Sequence, residues 1–121
     1  MKMKEILTLL GGRLLCGAPQ DDHEFTSAFA SDMMSDVLAY VKDQAVLLTG
    51  LVNLQVVRTA EMMDMNCIVF VRSKMPTAEM IELAKDCGIV MLATDKRMYE
   101  ACGLLYSNGL VAVSYTHLTL P

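Results

Sequence analysis

Ala45-Val46-Leu47-Leu48-Thr49-Gly50 decides the reading of the fold. An unbroken apolar run closed by Thr-Gly suits a strand covered on both faces, because a half-solvated strand would alternate apolar with polar residues. Cys67-Ile68-Val69-Phe70-Val71 and Ile89-Val90-Met91-Leu92-Ala93 repeat the pattern. A helical segment follows each run. The first opens near Asn53 and carries Leu54, Val57, Met62 and Met65. The second is capped by Thr77, carries Met80, Ile81, Leu83 and Ala84, and stops at Gly88. The third is capped by Asp95, carries Met98, Tyr99, Cys102, Leu105 and Tyr106, and stops near Asn108-Gly109. Strand-then-helix units repeating every ~22 residues predict parallel strands with right-handed crossovers.

Working outward, residues 3–10 place Met3, Ile6, Leu7 and Leu10 at helical spacing, and Gly11-Gly12 ends the helix. Residues 13–16 and 25–30 are short strand candidates that would add to the sheet or its edge. Between them, 18–24 is an acidic loop around Pro19. Ser31 or Asp32 caps a helix whose apolar face is Met34, Val37, Leu38 and Val41. The expected architecture is α/β: a mainly parallel sheet flanked by helices in three layers, one domain over 1–112.

The chain has 121 residues, 54% of them hydrophobic and 20% charged, which is enough apolar material to bury a core. Lys plus Arg is 10 and Asp plus Glu is 14, a net charge of -4, with no basic run. That balance argues against nucleic acid as a partner. Met1-Lys2-Met3-Lys4 resembles the basic start of an export signal, but Glu5, Gly11, Gly12 and Arg13 interrupt the apolar stretch it would need. The charge-free run 101–121 is punctuated by Ser, Asn, Gly, Thr, His and Pro, so no membrane span is expected and the chain reads as cytoplasmic.

Chemistry-bearing groups are sparse. Cys16, Cys67, Cys87 and Cys102 form no C-x-x-C pair, and they read as free, buried thiols rather than metal ligands. His23 and His117 neighbour no nucleophile, and Thr26, Ser27, Ser31 and Ser35 have no base beside them. Asp21, Asp22 and Glu24 fit a solvated loop. No catalytic residue and no metal site is therefore assigned. G-x-G-x-x-G and the phosphate-loop motif are both absent. What remains is the carboxyl edge of the parallel strands, where open α/β sheets bind ligands. Three loops leave it: 49–53, 72–74 and 94–97. They nominate Thr49, Gly50, Asn53, Arg72, Ser73, Thr94 and Asp95, with Lys74, Lys96 and Arg97 adding charge, as a site for an anion or a nucleotide phosphate. Helix capping and turn formation account for the same residue types without a ligand. The 11 methionines, with Met33-Met34, Met62-Met63 and Met65 grouped on two helices, suit core packing or a self-association face.

The segments 30–38 (Ala-Ser-Asp-Met-Met-Ser-Asp-Val-Leu), 47–51 (Leu-Leu-Thr-Gly-Leu), 57–62 (Val-Arg-Thr-Ala-Glu-Met), 68–72 (Ile-Val-Phe-Val-Arg), 92–95 (Leu-Ala-Thr-Asp) and 99–106 (Tyr-Glu-Ala-Cys-Gly-Leu-Leu-Tyr) resemble the DRTGG domain family. The resemblance runs over about 3–110, as a short stand-alone member. In the namesake segment, Asp22 and Thr26 fit, while Ser27-Ala28 stand where the family favours Gly-Gly. The resemblance implies a fold similar to the N-terminal domain of HPr kinase. It also implies a regulatory, dimer-forming role beside nucleotide-sensing CBS domains or phosphotransacetylase. Stand-alone members resembling this chain occur in anaerobic bacteria near regulatory kinase and iron-only hydrogenase genes. By contrast, 113–121, ending Ser114-Tyr115-Thr116-His117-Leu118-Thr119-Leu120-Pro121, resembles translated sequencing adapter and is set aside as a non-native tail.

These readings rank as follows. First comes a non-catalytic regulatory module that forms a homodimer and binds a partner protein, such as a regulatory kinase or hydrogenase-related protein. Second is a small-ligand sensor for an adenine nucleotide or another anion, with no cofactor beyond that nucleotide. Third is a hydrogenase-associated iron–sulfur accessory protein.

Overall fold

The centre of the sheet is built from strands whose residues are buried on both sides, and the strand order positions everything else. A computed structural model describes residues 1–17, 23–41 and 44–113. The acidic loop residues 18–22, Asp22 of the namesake segment included, and residues 114–121 of the expected tail, His117 among them, lie outside the described residues. The elements are α1 (Met3–Leu10), β1 (Arg13–Cys16), β2 (Ser27–Ala30), α2 (Met34–Tyr40), β3 (Val46–Thr49), α3 (Leu54–Met62), β4 (Cys67–Phe70), α4 (Ala78–Cys87), β5 (Val90–Ala93), α5 (Met98–Ser107) and β6 (Val111–Ala112). They form a six-stranded sheet in the order β1-β5-β4-β3-β2-β6.

β2, β3, β4 and β5 pair in parallel, with Val46 opposite Cys67 and Cys67 opposite Val90. β3, β4 and β5 are buried at every residue. Their side chains divide by alternation, as strand geometry requires. Leu47, Ile68, Phe70 and Met91 pack with Val37, Val56, Val57, Ala60, Met80 and Ala84 of α2–α4. Val46, Leu48, Cys67, Val69 and Leu92 pack on the other side with Met3, Ile6 and Leu10 of α1 and Ala101 and Leu105 of α5. The structure is thus a three-layer α/β fold with a mainly parallel sheet, as the apolar runs predict.

Several local expectations are realised atom by atom. Asn53 Oδ1 accepts from the Val56 N–H at 3.3 Å, and Thr77 Oγ1 accepts from the Met80 N–H at 3.2 Å. α1 ends at Gly11 in the left-handed region (φ 58°), and α4 ends at Gly88 in the same way (φ 71°).

Others are corrected. The residue that opens α2 is Met33, without a side-chain cap. Ser31 Oγ instead accepts from the Met33 N–H at 2.9 Å, and the Asp32 carboxylate turns toward β3. α5 opens at Arg97, again without a side-chain cap, because the Asp95 carboxylate bonds Ser73. Leu38 is exposed, and so is Met62, the last residue of α3, whereas Met65 is buried beyond the helix end. On α5 the inward face is Ala101 and Leu105, which leaves Tyr99 (92% exposed) and Tyr106 (64%) in solvent. Residues 25 and 26 precede β2 rather than form it. β1 is an edge strand antiparallel to β5. At the opposite edge, β6 pairs in parallel with β2 after a turn at Gly109 (φ 107°), a strand too short to carry a periodic signal. Val113, the first residue of the expected tail, is buried in the core. Ser27 is buried in β2, and its hydroxyl has no hydrogen-bond partner among the described residues.

Candidate functional site at the carboxyl edge

β2, β3, β4 and β5 run in one direction, so the segments leaving their carboxyl ends gather along one edge. The first part of that edge is organised by Asp32, two residues past β2. Its Oδ1 accepts from the Gly50 N–H at 2.7 Å and from the Thr49 hydroxyl at 3.0 Å. Its Oδ2 pairs with the Arg72 guanidinium at 3.4 Å. Thr49 is fully buried, and its hydroxyl oxygen also accepts from the Leu51 N–H at 3.1 Å. The Arg72 guanidinium lies where a Cβ on Gly50 would project. Asn53 is spent on the cap of α3. The anion that Thr49 and Gly50 meet is the chain's own Asp32 carboxylate.

The second part is different. Arg72 and Ser73 both adopt left-handed backbone, each with φ 59°, although neither is glycine. Such residues cost on the order of 1 kcal/mol each and persist where the surroundings over-determine them. The surroundings here are backbone bonds: Lys74 N–H to Val71 O (3.1 Å), Arg72 N–H to Lys96 O (2.8 Å) and Ser73 N–H to Thr94 O (3.0 Å). The Ser73 hydroxyl donates to Asp95 at 2.9 Å, and Asp95 lies 4.0 Å from Arg13. Thr94 is structural: it is buried, donates to Leu10 O at 2.7 Å and accepts from the Lys96 N–H at 3.2 Å. The result is a depression of about 500 Å³ lined by Arg72, Ser73, Lys74, Asp95 and Arg97. Among the described residues, Lys74 and Arg97 have no acidic group within ion-pair distance, while Lys96 pairs with Glu100 at 3.7 Å. The uncapped start of α5 stands at the same edge and adds positive potential.

The nominated residues thus separate. Thr49 and Gly50 face Asp32, Arg72 bridges the two parts, Ser73 and Asp95 line the depression, and Asn53 and Thr94 serve the scaffold. Sequence reasoning missed Asp32, whose only signal was an acid just beyond a strand end, the same signal as a helix cap.

The thiols sit apart from this edge. Cys67 is fully buried, and burial pushes its thiol up to about 12. Burial likewise raises Cys16 and Cys102, and Cys87 is raised because its thiol donates to Glu61 at 3.1 Å. All are free. Among the described residues no group of His, Cys, Asp and Glu is arranged to hold a metal ion, and no helix is long and apolar enough to cross a membrane. A second cavity, of about 220 Å³, lies between α5 and the β2–β6 edge and is lined by apolar groups including Phe29, Leu105, Tyr106 and Val111.

No protein-family profile matches the chain, and no curated protein does. Among solved structures, the fold is similar to the crystal structure of the CBS and DRTGG domains of the regulatory region of Clostridium perfringens pyrophosphatase, complexed with its activator diadenosine tetraphosphate. The TM-score is 0.75 at 15% identity, over 86% of this chain and 45% of that one. The chain therefore spans less than half the length of that neighbour, and the fold is of the DRTGG-related type found there.

Proposed function

We propose that the chain is a non-catalytic regulatory module of the DRTGG type that senses a phosphate-bearing ligand, of the adenine-nucleotide class, at its carboxyl edge. The observation that carries this reading is the depression lined by Arg72, Ser73, Lys74, Asp95 and Arg97, in which Lys74 and Arg97 have no internal counter-ion among the described residues. A protein of net charge -4 that concentrates unpaired cations around one hollow has a local field opposite to its global one. Support also comes from the structural neighbour, a regulatory region complexed with a dinucleoside polyphosphate. A cytoplasmic location goes with such a ligand. Isothermal calorimetry against ATP, ADP, AMP and diadenosine tetraphosphate tests the reading. Saturable heat that is lost in Lys74→Gln/Arg97→Gln is expected, and no heat with any of them would remove it.

A second reading, self-association as a homodimer, is favoured by a separate observation. Tyr99, Tyr106 and Val111 are exposed apolar groups, and Tyr106 and Val111 border the apolar cavity beside α5. Light scattering after size exclusion checks it: a dimer in the parent chain that becomes a monomer in Tyr106→Glu supports this face, and a monomer throughout rejects it.

A further inference from the structure

We infer that Arg72 is exchanged between two anions, the resident carboxylate of Asp32 and the ligand's phosphate, so that the Asp32–Arg72 pair holds the pocket in a low-affinity state. The inference rests on the ligand-sensing reading above and adds its regulation. Arg72 belongs to both halves of the edge: its guanidinium pairs with Asp32 at 3.4 Å and it also lines the open depression. Both side chains of the pair are 44% exposed, and a half-solvated ion pair is weak. A phosphate, which can take the guanidinium fork through two parallel bonds, competes well for it. Giving up Arg72 does not strand Asp32, since the Gly50 N–H and the Thr49 hydroxyl still satisfy the carboxylate. Gly50 completes the device. The three atoms nearest to a Cβ there belong to the Arg72 guanidinium, so glycine leaves room for the closed position.

The exchange predicts an unusual sign. Damage to a binding site lowers affinity, whereas removing the internal competitor raises it. Calorimetric titration of the full chain with inorganic pyrophosphate, in buffer free of other phosphate, reads this directly. Asp32→Asn keeps an acceptor for Gly50 and Thr49 but loses the charge. It is expected to bind pyrophosphate roughly fivefold more tightly, the equilibrium equivalent of an exposed ion pair. Gly50→Ala places its Cβ against the Arg72 guanidinium and is expected to shift affinity the same way by pushing Arg72 outward. Arg72→Gln is expected to bind more weakly, and Asp32→Asn added to Arg72→Gln to change nothing further. Thermal unfolding of each variant checks that it is folded. If the parent chain binds pyrophosphate while Asp32→Asn and Gly50→Ala bind it equally or less well, the exchange is wrong and the sensing reading survives. If the parent chain shows no binding, the sensing reading fails and the exchange falls with it.

Discussion

The loop after β3 and the loops after β4 and β5 leave the same edge of the sheet, but only the first is saturated from within. At Thr49 and Gly50 the hydroxyl and the N–H both find Asp32. Around Ser73 and Arg97 the backbone is equally well bonded, yet Lys74 and Arg97 line a hollow and form no ion pair among the described residues, although Asp95 lines it too. The difference comes from the neighbouring strand. β2 lies beside β3 and sends Asp32 over its end, whereas the chain leaving β5 supplies Asp95, which is drawn aside by Ser73 and Arg13. Strand ends of this kind offer N–H groups and hydroxyls by default, and whether they form a site depends on whether the chain supplies its own anion.

If the β3 half is structural and the β4–β5 half functional, substitutions should separate stability from binding. The largest effect belongs to Asp32→Ala. It leaves the Thr49 hydroxyl and the Gly50 N–H without their acceptor and Arg72 without its partner. Hydrogen bonds to a charged group are worth about 1.5–3 kcal/mol, so unfolding in urea should show a loss of that order. A loss below ~0.5 kcal/mol would mean the closed half is not holding β2 to β3. Next comes Lys74→Gln/Arg97→Gln. Both side chains are exposed, so stability should stay within ~0.5 kcal/mol of the parent, while pyrophosphate affinity should fall by about tenfold or more. Loss of stability with unchanged affinity would invert the comparison.

The sheet was legible in the sequence because its signal is redundant: the runs at Val46, Cys67 and Val90 are apolar but for Thr49, and each is buried along its whole length. The caps at Asn53 and Thr77 were legible because a helix start lies directly after them. Asp32 and Asp95 were not. Each precedes a helix and looks like a cap, but each is bound by groups distant in sequence, Gly50 and Arg72 in one case and Ser73 in the other. A side chain with two available partners goes to the one tertiary structure brings closer, and local pattern does not carry that information. The same holds for β6, whose two residues acquire strand geometry only because β2 is there to pair with them. Tyr99 and Tyr106 fit the helical period of α5, but period alone does not say which stripe turns inward.

The smallest expected effect is at Ser73, and it bears on why the two halves differ in backbone. The left-handed turn at Arg72 and Ser73 is tied to Lys96 and Thr94 by its own N–H groups, so its shape survives removal of a side chain. Ser73→Gly relieves one left-handed non-glycine residue but gives up an exposed hydrogen bond to Asp95. Relief of about 1 kcal/mol against a solvated bond worth about 0.5 kcal/mol leaves a net gain near 0.5 kcal/mol. A small rise in the thermal midpoint, together with weaker pyrophosphate binding, is the expected pair of results. The strain would then be held because it aims Arg72 and the Ser73 hydroxyl at the hollow. If Ser73→Gly gains stability at no loss of affinity, the strained turn belongs to the packing of β4 against β5, and the functional half of the edge shrinks to Arg72, Lys74 and Arg97.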